Sequence, residues 1–417
     1  MERIRSTELA AYAGKHVKVM GWLHSLRRLG AVNFVVLRDG WGLVQAVLVE
    51  AKMAPLEGVL PESVIELTGT VVTEPQLELH GVVARVIAPV TELAPIQLGK
   101  KQLKVPLASL LEHAVVANRH PARRAVFRIA AAAMRGFRRA LDARGFTEIQ
   151  SPKLVQTATE GGSHTFQVSY FDRAAYLAQS PQLYKQIMVG VFERVYEVGP
   201  VFRAEPHDTA RHINQYTSLD VELGFIDSHA DVMAILVEVL REMFAEIATC
   251  TAELALLGAT LPVIPETVPV VHFTEAQPAP EPDLSPEDER RVGAWALKEH
   301  GSDLVFVTGY PMTKRPFYTH PDPEQPAHSR SFDLLFRGTE LVTGGQRLHR
   351  HADYLAALEA RGMSREPIES YLTAFANGMP PHGGFAIGLE RLLMQLLGLP
   401  NIRLAVLFPR DLTRLAP

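Results

Sequence analysis

Val201-Phe202-Arg203-Ala204-Glu205, read with Gly388-Leu389-Glu390-Arg391 far downstream, decides how this chain is to be understood. In an extended segment Arg203 and Glu205 stand two apart and share one face. Residues 388–397 are apolar around Arg391 and read as a helix, so a second arginine arrives from a distant element. Two such arginines can clamp one polyphosphate, because each guanidinium fork takes phosphate oxygens bidentately. The sequence has no Gly-x-x-x-x-Gly-Lys loop and no Gly-x-Gly-x-x-Gly after a strand, which argues against P-loop and Rossmann modes of nucleotide binding.

Outward from this pair the chain divides in two. Residues 1–95 hold β-rich segments at 17–22, 32–37, 43–49, 64–72 and 82–90, with Arg38-Asp39-Gly40 as a turn. That pattern predicts an OB-type barrel. Residues 96–121 are polar and irregular and read as a hinge. From 122 to 417, strands and helices mix without a βαβ rhythm, which predicts an α+β domain with a mainly antiparallel sheet flanked by helices. Residues 122–145 read as a helix with Val126, Ile129, Ala133, Phe137 and Leu141 on one stripe and Gly145 as its cap. One helix is expected over 228–257, a proline-rich connection over 262–286, and a helix opening at Ser285-Pro286. Strands are expected at 305–307 and 317–319, a strand pair over 331–347, and helices at 354–361 and 388–397.

The bulk numbers narrow the class. With 47% hydrophobic and 21% charged residues, the 417-residue chain has the composition of a globular protein with a large core. A net charge of −4 excludes a globally basic nucleic-acid binder and leaves local patches to decide. The single cysteine, Cys250, permits no internal disulfide and suits a reducing, cytoplasmic compartment. The chain shows no apolar leader and no 18-residue apolar run, so neither a signal peptide nor a membrane span is expected.

Together these motifs resemble the class II aminoacyl-tRNA synthetases from end to end, with segments 122–152, 194–224 and 383–397 as motifs 1, 2 and 3 and an insertion at about 226–330. The resemblance implies a homodimer built on motif 1 and formation of an aminoacyl-adenylate from ATP. It places Arg203 on the α-phosphate and the attacking carboxylate, Glu205 on the adenine amino group, Arg391 against adenine and the γ-phosphate, Tyr216 as a stacking ring, and His212 near the pyrophosphate. Asp333, Glu340 and Thr343 match the family's Mg2+ positions. In a regular strand Glu340 and Thr343 face opposite sides, so a bulge or turn is required there. His349 and His351 stand two apart, but with one cysteine and no further clustered ligands they do not make a zinc site.

Gln179-Ser180-Pro181-Gln182-Leu183-Tyr184-Lys185-Gln186 and Thr343-Gly344-Gly345-Gln346-Arg347 resemble the aspartyl branch of that family, in its short archaeal-like form. The likeness implies L-aspartate as substrate, held by Lys185, Arg347 and Gly344, with Gln182 and Asp220 on its ammonium group. Glu160, in Thr159-Glu160-Gly161-Gly162-Ser163, matches a loop that closes over the amino acid. Two cations in one pocket favour a carboxylate over an amide, and Lys185 separates the chain from the asparaginyl relatives, which lack it. In the barrel, Phe34 and Gln45 match contacts to the central anticodon uridine, and Arg27 is a nearby phosphate or base contact. His24 follows Gly21-Trp22-Leu23, where relatives that discriminate between tRNAs carry tryptophan. A non-discriminating enzyme is therefore expected, one that charges tRNA(Asp) and tRNA(Asn) and feeds a tRNA-dependent amidotransferase. A discriminating aspartyl enzyme, an asparaginyl enzyme and a non-catalytic RNA-binding paralogue remain the alternatives; the last predicts loss of Arg203, Glu340 or Arg391, all of which are present.

Overall fold

A computed structural model describes residues 1–417 except 94, 101, 157–164, 278–280 and 282. The chain separates into two compact units, Met1–His120 and Pro121–Pro417.

The first unit is a closed barrel of β1 (His16–Arg28), β2 (Val32–Arg38), β3 (Leu43–Val49), β4 (Val64–Val72) and β5 (Glu78–Ala88), in the order β1-β2-β3-β5-β4. Alternation drives it: Val17, Val19, Leu23, Val35, Leu37, Val44, Ala46, Leu48, Ile65 and Leu67 turn inward and are buried. Closure leaves no open sheet edge. The fifth strand begins earlier than its apolar run suggests, at Glu78. The segment read as a hinge belongs to this unit and carries α1 (Leu107–Glu112) and α2 (Ala114–Ala117), whose Leu110, Leu111, Ala114 and Ala117 are buried. Its apolar residues are too few for a clear helical period, which is why the sequence reads as irregular.

The second unit opens with α3 (Pro121–Asp142), followed by short strands β6 (Thr147–Glu148), β7 (Leu154–Val155), β8 (Gln167–Tyr170) and β9 (Arg173–Leu177). Then come α4 (Gln182–Phe192), β10 (Arg194–Phe202), β11 (Gln215–Gly224), α5 (His229–Ala248), α6 (Thr251–Leu257), β12 (Val270–His272), α7 (Phe273–Ala276), α8 (Pro286–His300), β13 (Leu304–Thr308), β14 (Ser331–Phe336), β15 (Thr339–Gln346), α9 (His351–Ala360), α10 (Glu369–Ala376), β16 (His382–Gly388) and α11 (Leu389–Leu397). The main sheet runs β12-β13-β14-β15-β16-β11-β10-β6. It is antiparallel except where β12 meets β13 and β10 meets β6. Val126, Ile129, Ala133, Phe137 and Leu141 of α3 pack with Leu236, Leu240 and Met243 of α5 and with the sheet residues Leu219, Val221, Phe385 and Ile387 in one core.

Several local expectations are corrected. The helix over 228–257 breaks at Thr249 and Cys250, where the chain leaves α5 and restarts as α6. The proline-rich connection carries β12 and α7. Residues 317–319 form no strand; Phe317 and Tyr318 are buried core aromatics, and Thr319 makes only an isolated bridge to Arg347. Half-exposed arginines of α3 tie it to the helices that follow. Arg135 and Arg139 pair with Glu246, and Arg128 pairs with Glu253.

Gly136 sets how closely α3 and α5 approach: a Cβ there would lie 2.7 Å from Met243 Cα and 2.8 Å from Glu242 O. Backbone cannot yield as a flexible side chain can. Gly136→Ala should therefore destabilise the second unit by about 1–3 kcal/mol, despite alanine's better helix propensity. The denaturation midpoint compared with wild type measures this.

Candidate active site

A cavity of about 470 Å³ opens on one face of the main sheet, lined by residues of α4, β11, β15 and α11, among them Gln182, Lys185, Arg203, Glu205, His212, Tyr216, Glu340, Thr343, Gly344, Arg347 and Arg391. These come from the segments around 179–186, 203–218, 340–347 and 388–391, while Asp220 and Asp333 are not among the lining residues and the segment 122–152 contributes none. Glu160 and its loop fall outside the described residues.

Its floor is a cluster of buried charges. Lys185, 2% exposed, donates to Asp220 Oδ1 at 3.1 Å, Phe385 O at 3.2 Å and Val221 O at 3.3 Å, and lies 3.4 Å from Glu222 Oε2. Arg347 donates from Nε to Glu222 Oε1 at 3.0 Å and from Nη2 to Gly384 O at 3.0 Å. Ser218 donates to Asp220 Oδ2 at 2.5 Å. Strand period places Ser218, Asp220 and Glu222 on one face of β11. Burial pushes the Glu222 carboxyl up, but Arg347 and Lys185 outweigh it and hold it below its ordinary range. Gly384 is required here, since a Cβ would stand 2.2 Å from Glu222 Oε2 and 2.0 Å from Val221 O. Glu222 went unnoticed in the sequence, although Asp220-Val221-Glu222 on a strand was a sufficient signal. It also changes the expected picture: the pocket is two cations matched by two carboxylates, not two cations alone.

Behind the floor, Tyr371 OH donates to Tyr354 OH at 2.8 Å, and Tyr354 OH donates to Leu348 O at 3.0 Å. Gln186 and His382 complete this knot. Burial lowers His382 to about 4, so it is neutral near pH 7 and its Nδ1 donates to Pro380 O.

The other end of the cavity suits a nucleotide. Arg203 and Glu205 lie just past the end of β10 rather than within it, with Arg203 Nη1 3.9 Å from Glu205 Oε1. The Arg203 guanidinium stands 5.8 Å from the centre of the Tyr216 ring. Arg391 donates to Glu340 Oε1 at 3.2 Å. His212 Nδ1 lies 2.6 Å from Thr209 Oγ1, and burial lowers its pKa.

The expected bulge is present. The β14–β15 register passes from Leu334 opposite Val342 to Leu335 opposite Glu340, leaving Leu341 extra. Glu340 and Thr343 thereby meet, at 3.4 Å, and Asp333 lies directly across from Thr343. Burial and the neighbouring Asp333 raise Glu340. Asp333 Oδ1 is buried without a hydrogen-bond partner, while Oδ2 accepts from Arg315 at 3.0 Å. An unpartnered carboxylate oxygen, a second carboxylate and a hydroxyl form a donor set that fits a hard divalent cation. Arg315, packed 3.9 Å from the centre of the Tyr310 ring, lines the cavity and had no local sequence signal.

In the barrel, Arg27 lies opposite Phe34, and Phe34 opposite Val47, while Gln45 lies opposite Val36 on the next rung. The three named residues thus share the barrel's outer face. Gln45 is oriented by Glu78, which accepts its amide at 2.9 Å. His24 is the extra residue of a β-bulge between Leu23 and Ser25. It is half-buried near Arg38, Glu62 and His120, and burial with Arg38 lowers its pKa.

Comparison with known proteins places these features. Residues 107–412 match the family described as tRNA synthetases class II (D, K and N), and residues 17–86 match the OB-fold nucleic acid binding domain. The chain is 47% identical to the aspartate–tRNA(Asp/Asn) ligase of Thermus thermophilus, over 100% of both chains. It is 43% identical to the aspartate–tRNA(Asp/Asn) ligase of Deinococcus radiodurans, over 100% of this chain and 99% of that one. The solved asparaginyl-tRNA synthetase of Pyrococcus horikoshii, complexed with asparaginyl-adenylate, superposes with a TM-score of 0.91 at 29% identity, over 100% of each chain.

Glu390 offers a test of this geometry. Both its oxygens lie 3.0 Å from Thr217 N, joining α11 to β11, and burial pushes its pKa up to about 7. Between the unfolded value, near 4.5, and about 7 the folded state holds the extra proton, so this group costs stability as pH rises through that window. Glu390→Gln should remove that slope. The stability difference between variant and wild type should shift by roughly 3 kcal/mol in the variant's favour from pH 4.5 to 7. Denaturation midpoints across that range measure it.

Proposed function

The chain belongs to the class II tRNA synthetases of the D, K and N group, and we propose that it ligates L-aspartate to tRNA through an aspartyl-adenylate. ATP is the second substrate. The observation that carries the amino-acid choice is the buried pairing of Lys185 and Arg347 with Asp220 and Glu222.

Lys185 has three donors and all are engaged. A substrate carboxylate can take the donor now given to Asp220, provided Asp220 receives a cation in return. The α-ammonium of aspartate is that cation. The exchange leaves every buried charge paired. Asparagine would offer an amide where Lys185 and Arg347 need an anion, at a cost of several kcal/mol. Gln182, whose Nε2 is buried without a partner, and the backbone of Gly344 complete the amino-acid wall. Glu160 is assigned to closure over the substrate by family likeness alone.

In the first step an oxygen of the substrate α-carboxylate attacks the α-phosphorus of ATP, the bond to the β-phosphate oxygen breaks, and pyrophosphate leaves. Arg203 is assigned to neutralising the α-phosphate, Arg391 to neutralising the departing pyrophosphate, His212 to a hydrogen bond at that end, and Tyr216 and Glu205 to adenine. Asp333, Glu340 and Thr343 would hold Mg2+, which when bound neutralises phosphate charge. In the second step a hydroxyl of the tRNA's terminal ribose attacks the activated carbonyl, its proton passes to the adenylate's phosphate, and AMP leaves carrying the electron pair of the broken acyl–phosphate bond.

The barrel surface of Arg27, Phe34 and Gln45 is assigned to the anticodon. His24, and relatives named for both tRNA(Asp) and tRNA(Asn), support charging of both. Aspartyl-tRNA(Asn) would then pass to a tRNA-dependent amidotransferase. Family likeness supports a homodimer through α3, and the single cysteine suits the cytoplasm. Among the described residues no helix is long and apolar enough to cross a membrane.

Charging assays with labelled aspartate, on purified tRNA(Asp) and tRNA(Asn) separately, test this reading. Aspartate should appear on both; charging of tRNA(Asp) alone would remove the relaxed specificity, and no charging would remove the function. Arg203→Ala and Arg391→Ala should each abolish ATP–pyrophosphate exchange. Lys185→Leu should raise the KM for aspartate at least a hundredfold while ATP binding persists, consistent with loss of a buried charged partner worth roughly 3 kcal/mol.

A further inference from the structure

The loop that carries the nucleotide-end side chains has a support of its own. Residues 203–214 join β10 to β11 and form neither helix nor strand. They carry Arg203, Glu205 and His212, yet residues 206–210 are exposed. A loop of this kind loses conformational entropy whenever a ligand fixes it, which weakens binding unless the loop is held beforehand. The chain that follows α11 folds back against it. Ile402 N donates to Ala210 O at 2.8 Å, and Asn214 N donates to Arg410 O at 2.8 Å.

Arg403 is the centre of this contact, with its side chain 8% exposed. Its Nε donates to Asp411 Oδ2 at 2.6 Å, its Nη2 to Asp208 Oδ1 at 2.6 Å and its Nη1 to Thr209 O at 3.1 Å. Three acceptors spread around one plane suit a guanidinium fork, and the point charge of an ammonium cannot span them. Asp411 is itself fixed, because its Oδ1 accepts from Thr413 N at 3.0 Å and from Arg414 N at 2.9 Å. The segment is anchored in turn to α3, where Arg123 donates to Leu404 O and, at 3.2 Å, to Val406 O.

From Arg403 the order passes along the loop to the site. Thr209 Oγ1 lies 2.6 Å from His212 Nδ1 and accepts from Arg211 N at 3.1 Å. Asn214 Nδ2 donates to Arg203 O at 2.7 Å. Arg403 does not line the cavity, whereas its neighbour Ile402 does.

We propose that Arg403 is a positioning residue for ATP: bridged between Asp411 and the exposed turn at Asp208 and Thr209, it holds loop 203–214 in the shape that presents Arg203 and His212 to the nucleotide, and so sets the affinity for ATP. The inference rests on the ligase reading above. Arg403 acts through the loop and takes no part in the amino-acid floor on β11, so its loss should weaken ATP and spare aspartate.

Two variants and two readouts test it. Asp208 is 71% exposed, so Asp208→Ala cuts the bridge at the loop and leaves the core intact. It should raise the KM for ATP in aspartate-dependent ATP–pyrophosphate exchange about three- to tenfold. The KM for aspartate and the denaturation midpoint should stay at wild-type values. Arg403→Lys keeps a cation beside Asp411 but loses the fork, and should give the same split. The second readout needs no turnover: trypsin should cut after Arg211 faster in both variants than in wild type, and ATP should slow the cut in all three. Wild-type KM for ATP and wild-type cleavage in both variants would overturn the proposal. So would equal rises in KM for ATP and for aspartate with a lowered midpoint, which mark a merely structural role. Wild-type protein that shows no aspartate-dependent exchange would instead overturn the ligase reading.

Discussion

Four charges buried together, on Lys185, Arg347, Asp220 and Glu222, are the constraint on which the rest of the catalytic unit depends. Burying ions costs several kcal/mol each, and only close pairing with satisfied hydrogen bonds offsets it. The fold meets that demand by bringing α4, β11, β16 and the end of β15 to one spot and lending the carbonyls of Val221, Gly384 and Phe385. Gly384 exists to let a carboxylate lie against a strand backbone. Removing any one charge strands another, at about 3–5 kcal/mol. The same pairing makes the floor selective, because the ligand that fits is one that hands back a cation for the cation it takes.

The nucleotide end follows a different rule. Its side chains are less buried, and its arginines are held by carboxylates, pairings that a polyphosphate on the arginines and a divalent cation on the carboxylates would replace. Arg391 rests on Glu340, Arg315 on Asp333, and Arg203 faces Glu205. One extra residue in β15 makes this possible: without the bulge at Leu341, Glu340 would point away from Thr343 and the oxygen donors would not converge. The two ends of the cavity thus share β15, which joins the bulge to the strand end preceding Arg347.

Much of this was legible in the sequence, for physical reasons. The barrel was readable because its strands alternate and its turns carry glycine. The catalytic unit was readable because Arg203, Lys185, Arg347 and Arg391 sit in short patterns too specific to be surface charge. Placement was harder where tertiary contacts decide. Glu205 was read onto a strand that ends at Phe202. The segment before Pro121 packs two short helices that no periodicity announced. Arg315 and the Gln186–Tyr354–Tyr371–His382 knot draw their roles from partners far along the chain, so no local pattern could reveal them. Glu222 was visible as an alternate strand residue, but its importance appears only when both cations are seen to converge on it.

If the charge cluster chooses the amino acid, the choice is made before tRNA binds. The most direct measurement is the rate of ATP–pyrophosphate exchange by the wild-type protein with L-aspartate and with L-asparagine, at matched subsaturating concentrations and without tRNA. A preference for aspartate of roughly 10⁴ is expected. Comparable rates with the two amino acids, or a preference for asparagine, would contradict it.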